Sequence, residues 1–144
     1  MAPTDSVDGK LKELFAQGDT LLGQDQYARA LALYQQALGL IPEPVKAHRL
    51  AALTYANIGD ACLLLKKHEE ARRAFQDALQ SAGGEGNAYV HLRLGQCAYE
   101  LGDLGQAEAH LSRAHALKGE GIFEGEDEKY SRFVGSLRTS REGP

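Results

Sequence analysis

The side chains with which this sequence could do chemistry are two histidines five residues apart, His110 and His115, two cysteines, Cys62 and Cys97, and an acidic run of Glu120, Glu124, Glu126, Asp127 and Glu128. Imidazoles bind metal when the fold converges them, and a spacing of five on a helix points them in different directions. The cysteines stand inside helical stretches without the close pairing of a zinc or redox motif, so they read as buried free thiols. The acidic run lacks the alternating ligand order of a calcium-binding loop and reads as a solvated capping loop. Gly83 to Gly86 is glycine-rich but has no Lys-Ser/Thr partner for phosphate, and reads as a turn. Ser, His and Asp occur without a motif that assembles nucleophile and base. The expectation is no catalytic residue, no cofactor and no metal: not an enzyme.

What remains is binding, and composition narrows the ligand. The 144 residues are 43% hydrophobic and 25% charged, the balance of one globular domain. A formal net charge of -4, with 16 Lys plus Arg dispersed along the chain, argues against nucleic acid, whose polyanionic backbone rewards a basic patch. No apolar run approaches the roughly 18 residues of a membrane span, and Met1 to Lys10 lacks the basic-then-apolar order of a signal peptide. A cytoplasmic protein with no membrane partner is expected.

The elements that position the binding residues announce themselves by repetition. Glycine, alanine twelve positions on, an aromatic or leucine four later and alanine three after that recur three times: Gly18, Ala30, Tyr34, Ala37; Gly59, Ala71, Phe75, Ala78; Gly95, Ala107, Leu111, Ala114. A repeat near 34 residues with small residues at fixed points predicts stacked helical hairpins. In register, the copies are residues 11–44, 52–85 and 88–121, each with a helix A and a helix B. Leu14, Gln17 and Gly18, then Tyr55, Ile58 and Gly59, then His91, Leu94 and Gly95, keep to one face of helix A, where a residue without Cβ lets helix B approach.

Two insertions break the period. One falls in the glycine-rich turn of residues 83–87. The other, Val45 to Ala51, follows Pro44 without a helix breaker, and is expected to extend helix A of repeat two backward by about two turns, to some 21 residues and about 30 Å. After residue 121, Tyr130, Phe133, Val134 and Leu137 recur at i, i+3, i+4 and i+7, predicting a capping helix within residues 122–139 over Ile122 and Phe123. Its acidic start and later Lys129, Arg132 and Arg138 suit the helix macrodipole. Flexible ends are expected at residues 1–5 and 140–144.

These sets resemble the tetratricopeptide repeat, whose 34-residue unit places a large residue, Leu-Gly, an aromatic, Ala, an aromatic, Ala and Pro at set points. The match runs from about Leu11 to Gly121, with Pro42 and Tyr27 at family positions. Gln17, Leu21, Cys62, Ala98, Gly83 and Gly119 depart from the pattern. The end of the chain, from Ile122 to Tyr130, is similar to that of short bacterial three-repeat proteins. The resemblance implies an all-α, right-handed α-solenoid of three hairpins that binds a peptide or helix of a partner protein in a concave groove lined by the A helices.

Mapped onto this chain, the groove residues implied are Lys12, Phe15, Ala16, Asp19 and Leu22 in repeat one; Leu53, Asn57, Asp60 and Leu64 in repeat two, with Lys46 and Arg49 at the entrance; and Tyr89, Leu92, Arg93, Gln96, Tyr99 and Glu100 in repeat three. Aromatic anchors interleaved with charge suit an extended peptide or a helix. Some of these tyrosines and leucines can instead pack against the next repeat. Members of the family that clamp chaperone C-terminal carboxylates use Lys, Asn and Arg at set places. Asn57 and Arg93 match two of them, whereas Phe15 and Tyr89 replace lysines and Asp19 replaces an asparagine, opposing a carboxylate ligand. Asp19 and Asp60 together favour a ligand bringing Lys or Arg, unless Asp60 pairs with Arg93. Two alternatives stand beside this reading: a chaperone or immunity-type protein for a secreted client or toxin, and a homodimer in which the long helix of one copy fills the groove of another.

Overall fold

The three glycines face the three bulky residues of their own sets. In the computed structural model, which describes residues 3–142, a Cβ at Gly18 would stand 2.4 Å from Tyr34 Cε1, one at Gly59 would stand 2.6 Å from Phe75 Cζ, and one at Gly95 would stand 2.7 Å from Leu111 Cγ. Tyr34, Phe75 and Leu111 are wholly buried, as are Ala30, Ala71 and Ala107. Each hairpin is thus a helix-B side chain seated where helix A has no side chain, and the close approach expected of the glycines is the observed one.

The described chain is helical throughout: α1 (Pro3–Gly23), α2 (Tyr27–Leu40), α3 (Ala51–Leu64), α4 (His68–Gln80), α5 (Ala88–Glu100), α6 (Leu104–Lys118) and α7 (Glu128–Glu142), with 3-10 turns at Val45–Ala47 and Glu120–Phe123. The hairpins are α1 with α2, α3 with α4 and α5 with α6. Their A-to-B turns share one conformation, with the equivalent residues Asp25 (φ 61°), Lys66 (φ 63°) and Gly102 (φ 80°) all left-handed. Asn87 caps α5 by accepting from the Tyr89 and Val90 N–H groups, and Asp103 caps α6 by accepting from Gln106 N–H. Two compact units result, Met1–Glu85 and Gly86–Pro144.

In the first unit the insertion does not extend α3. Residues 45–47 form a 3-10 turn, His48 is extended (φ -74°, ψ 138°), and α3 begins at Ala51. Tertiary polar contacts override local helix propensity here. Lys46 reaches Asp77 (3.0 Å) and Gln80 (2.6 Å) at the end of α4, its carbonyl accepts from Ala82 N–H (2.8 Å), and Asp8 of α1 holds both His48 (3.5 Å) and Arg49. His48 Nδ1 also accepts from Leu50 N–H at 3.0 Å. A continuous helix would carry these groups away from their partners. The 21-residue helix is α1 instead, about 30 Å long.

In the second unit α7 covers the apolar side of the last hairpin. Phe123, Tyr130 and Val134 are buried with Leu92, Leu111 and Ala114, and Ile122, Phe133 and Tyr99 pack at the edge. Asp127 accepts from Lys129 N–H (3.0 Å) at the start of α7. The helices begin at Pro3 and run to Glu142, where flexible ends were expected; positions 1, 2, 143 and 144 of those ends lie outside the described residues.

Gly59→Ala is expected to cost about 1 to 3 kcal/mol, because its Cβ would stand 2.6 Å from the wholly buried Phe75 ring. Ala71→Leu and Ala107→Leu, at wholly buried contacts, are expected to cost a similar amount. Denaturant unfolding measures all three, and Phe75→Leu should recover part of the Gly59→Ala loss in a double-mutant cycle. Unchanged stability would contradict the register.

Candidate functional site

A surface for a partner must be exposed and framed by rigid elements, and α3 supplies one. Leu53, Asn57, Asp60 and Leu64 are spaced by four, three and four, which places them on one helical stripe. Leu53 and Leu64 are 49% and 44% exposed on a helix whose other face is buried, while Asn57 and Asp60 between them are half-buried. The opposite side of α3 is core: Ala51, Thr54, Ile58, Gly59, Ala61 and Cys62 are buried. Burial pushes the Cys62 thiol above its ordinary value, so it packs as an apolar group.

Beside this stripe, Asp19 accepts a 2.6 Å hydrogen bond from the Tyr34 hydroxyl. Burial first, then that bond and the charges of Asp19 and Asp60, raise the Tyr34 hydroxyl well above its usual range. Two carboxylates from equivalent positions of repeats one and two therefore bear on one hydroxyl. Lys12 is exposed at the corresponding place of α1. Phe15, in contrast, is 7% exposed, and its equivalents Ala56 and Leu92 are buried too. That register position belongs to the core, which removes Phe15 and Leu92 from the candidate surface. Comparing the three copies at this position, apolar in each, would have found it. Arg49 is held by Asp8 on α1. On the other side of α1, a cleft of about 250 Å³ is lined by Lys10, Glu13, Leu14, Gln17, Gln36 and Leu40.

In the second unit the equivalents of the α3 stripe are Tyr89, Arg93, Gln96 and Glu100, and the chain itself engages most of them. Glu126 lies 2.6 Å from Arg93 Nη1 and accepts from Gln96 Nε2 at 2.8 Å. Arg93 also donates to the Tyr89 hydroxyl (3.0 Å), with its guanidinium carbon 4.8 Å above that ring. Burial lowers the Arg93 pKa, but Tyr89 and Glu126 more than reverse that and hold it above the ordinary value. Tyr130 donates to Glu100 (2.7 Å), Lys129 pairs with the same carboxylate, and Tyr99 meets Tyr130 and Phe133 edge-on at 5.5 and 5.4 Å. Gln96 is buried and Tyr99 half-buried. Neither the Glu126 contact nor the Tyr130–Glu100 contact was legible beforehand, since their partners lie 30 or more residues apart.

His110 and His115 point in different directions, as their spacing implies. His110 stacks on His91, with ring centroids 5.3 Å apart and Nδ1 atoms 3.1 Å apart, while His115 turns to Glu120 (3.0 Å). Burial and then the neighbouring His91 push the His110 pKa down.

Such helical hairpins with an exposed A-helix stripe define a helical-repeat protein. Models of the tetratricopeptide repeat match residues 14–84 and 63–118, together most of the chain. The chain belongs to the tetratricopeptide repeat family. Solved structures share its fold at low identity. The Sgt2 TPR domain from Aspergillus fumigatus is 18% identical over 92% of this chain and 82% of that one, with a TM-score of 0.68. The first TPR of Spaghetti (RPAP3), bound to the HSP90 peptide SRMEEVD, is 17% identical over 94% and 95%, with a TM-score of 0.72. The Yersinia enterocolitica type III secretion chaperone SycD, in complex with a peptide of the translocator YopD, is 14% identical over 91% and 94%, with a TM-score of 0.72. No curated protein matches by sequence.

Because the folded chain keeps His110 neutral at pH values where the unfolded chain is already protonated, stability should fall as pH drops below about 6.5, the ordinary imidazole value, and level off once the folded imidazole is protonated as well. Urea unfolding at pH 7.5 and 5.5 measures this, and His110→Gln should lose less stability between the two.

Proposed function

We propose that the protein is a non-catalytic interaction module that binds a peptide or helix of a partner protein along the α3 stripe. The observation that carries this reading is the exposure of Leu53 and Leu64 on either side of half-buried Asn57 and Asp60. Covering a leucine fully is worth about 1.5 to 3 kcal/mol, so two such side chains supply a useful share of a partner's affinity. The carboxylates of Asp19 and Asp60 set its charge: a partner segment with Lys or Arg between two apolar residues is the complementary one. The proposed surface comprises Lys12, Asp19, Leu53, Asn57, Asp60 and Leu64. Neighbours of the same fold carry bound peptides, which supports the general mode.

The two neighbouring ligands are not equally suited. A carboxylate-ended tail such as SRMEEVD would meet Asp19 where the family's clamp has an asparagine, and Phe15 in the core where it has a lysine. A chaperone that holds a segment of a client protein, as SycD holds a peptide of YopD, fits the apolar and acidic surface better. The dimer built on a projecting helix of repeat two has no such helix to use.

Selection of peptides from a displayed random library on the full chain is the direct test. Selected peptides should carry Lys or Arg flanked by large apolar residues, and Asp60→Lys with Leu53→Ser should weaken them at least about tenfold, roughly 1.4 kcal/mol, with unchanged helicity. Equal binding by that variant would place the surface elsewhere.

A further inference from the structure

The segment that ends the second unit is built as a ligand as well as a cover. Glu126 holds its carboxylate against Arg93 and Gln96 of α5; four positions on, Tyr130 is buried and donates to Glu100; at seven and eight positions on, Phe133 meets Tyr99 and Val134 is buried with Leu92 and Leu111. Glu126 stands in the bend just ahead of α7, while Tyr130, Phe133 and Val134 share one face of that helix, and an apolar helical face is the pattern by which an amphipathic helix docks on another surface. The contact is also open to competition. The Arg93 and Glu126 side chains remain 22% and 20% exposed, so a second carboxylate can reach the guanidinium from solvent and exchange one charge-assisted bond for another. Gly119 (φ 74°) and Gly125 (φ 80°), both in the left-handed region, bracket the stretch where the segment leaves α6 and turns to α7.

We propose that the α5 face recognises a segment of a partner protein in which a carboxylate just ahead of a helix is followed by an aromatic at +4 and apolar residues at +7 and +8 on that helix, and that Glu126 to Val134 is the chain's resident copy of it, displaced when the partner binds. This rests on the reading of the chain as an interaction module, but concerns a different face from α3. Tethering gives the resident segment a high effective concentration, on the order of millimolar for a short link. An incoming segment therefore binds with an apparent affinity reduced by the fraction of molecules in which the face is open, and loosening the resident segment raises that affinity by the same factor.

The probe is a fluorescein-labelled peptide with the sequence of residues 122–137, titrated into the full chain by fluorescence anisotropy. Glu126→Gln loosens the resident carboxylate and should bind the peptide about tenfold or more tightly than the parent chain does. Adding Arg93→Gln to that variant should remove the gain. No binding to either protein, or the same binding with Arg93→Gln present, would overturn the proposal. Hydrogen exchange on the parent chain is independent of any folding defect in the variants: amides of 128–137 should exchange at least about tenfold faster than those of 105–117 if the segment lifts off. Equal rates would mean a fixed cap and would also overturn it. Neither failure touches the α3 surface, whose test uses different residues.

Discussion

The contact between a helix-A glycine and a helix-B ring or leucine is the constraint on which the rest of this molecule depends. At 2.4 to 2.7 Å from the place a Cβ would take, Tyr34, Phe75 and Leu111 fix how near the two helices of each hairpin lie. Glycine in a helix costs about 0.5 to 1 kcal/mol relative to alanine, and three such costs persist because each admits a large side chain into full burial. With one side of each A helix committed to that contact, the residues on its opposite side are left to face something else. On α3 that side presents two exposed leucines around a carboxylate; on α5 it presents a cation and an amide that the chain's own carboxylate meets.

The same framework gives Tyr34 a double role. Its ring fills the space at Gly18, and its hydroxyl donates to Asp19 and holds that carboxylate in place. A carboxylate restrained by a buried phenol loses less freedom on meeting a cation than one swinging free, which favours recognition of a basic side chain. Packing and binding chemistry thus meet in one residue.

How much of this was legible depends on the range of the interactions. The glycine sets, the hairpins and the capping helix follow from periodicity, because they are repeated and local. The insertion at Val45 to Ala51 was not legible: its residues have no breaker, and what stops the helix is Asp8, some 40 positions away, together with the end of α4. Phe15 occupies a groove position of the family, yet it and its equivalents Ala56 and Leu92 are apolar and buried, the mark of core. Arg93 lies on α5, and its partner Glu126 stands in an acidic run that composition alone assigns to solvent.

We propose that a partner lies along the exposed stripe of α3. Methyl-labelled NMR of the full chain with a library-selected peptide tests it most directly. The methyl resonances of Leu53 and Leu64 should shift on binding while those of buried Leu11 and Leu111 stay in place. Shifts confined to Leu14 and Leu40, beside the cleft on the other side of α1, would contradict it.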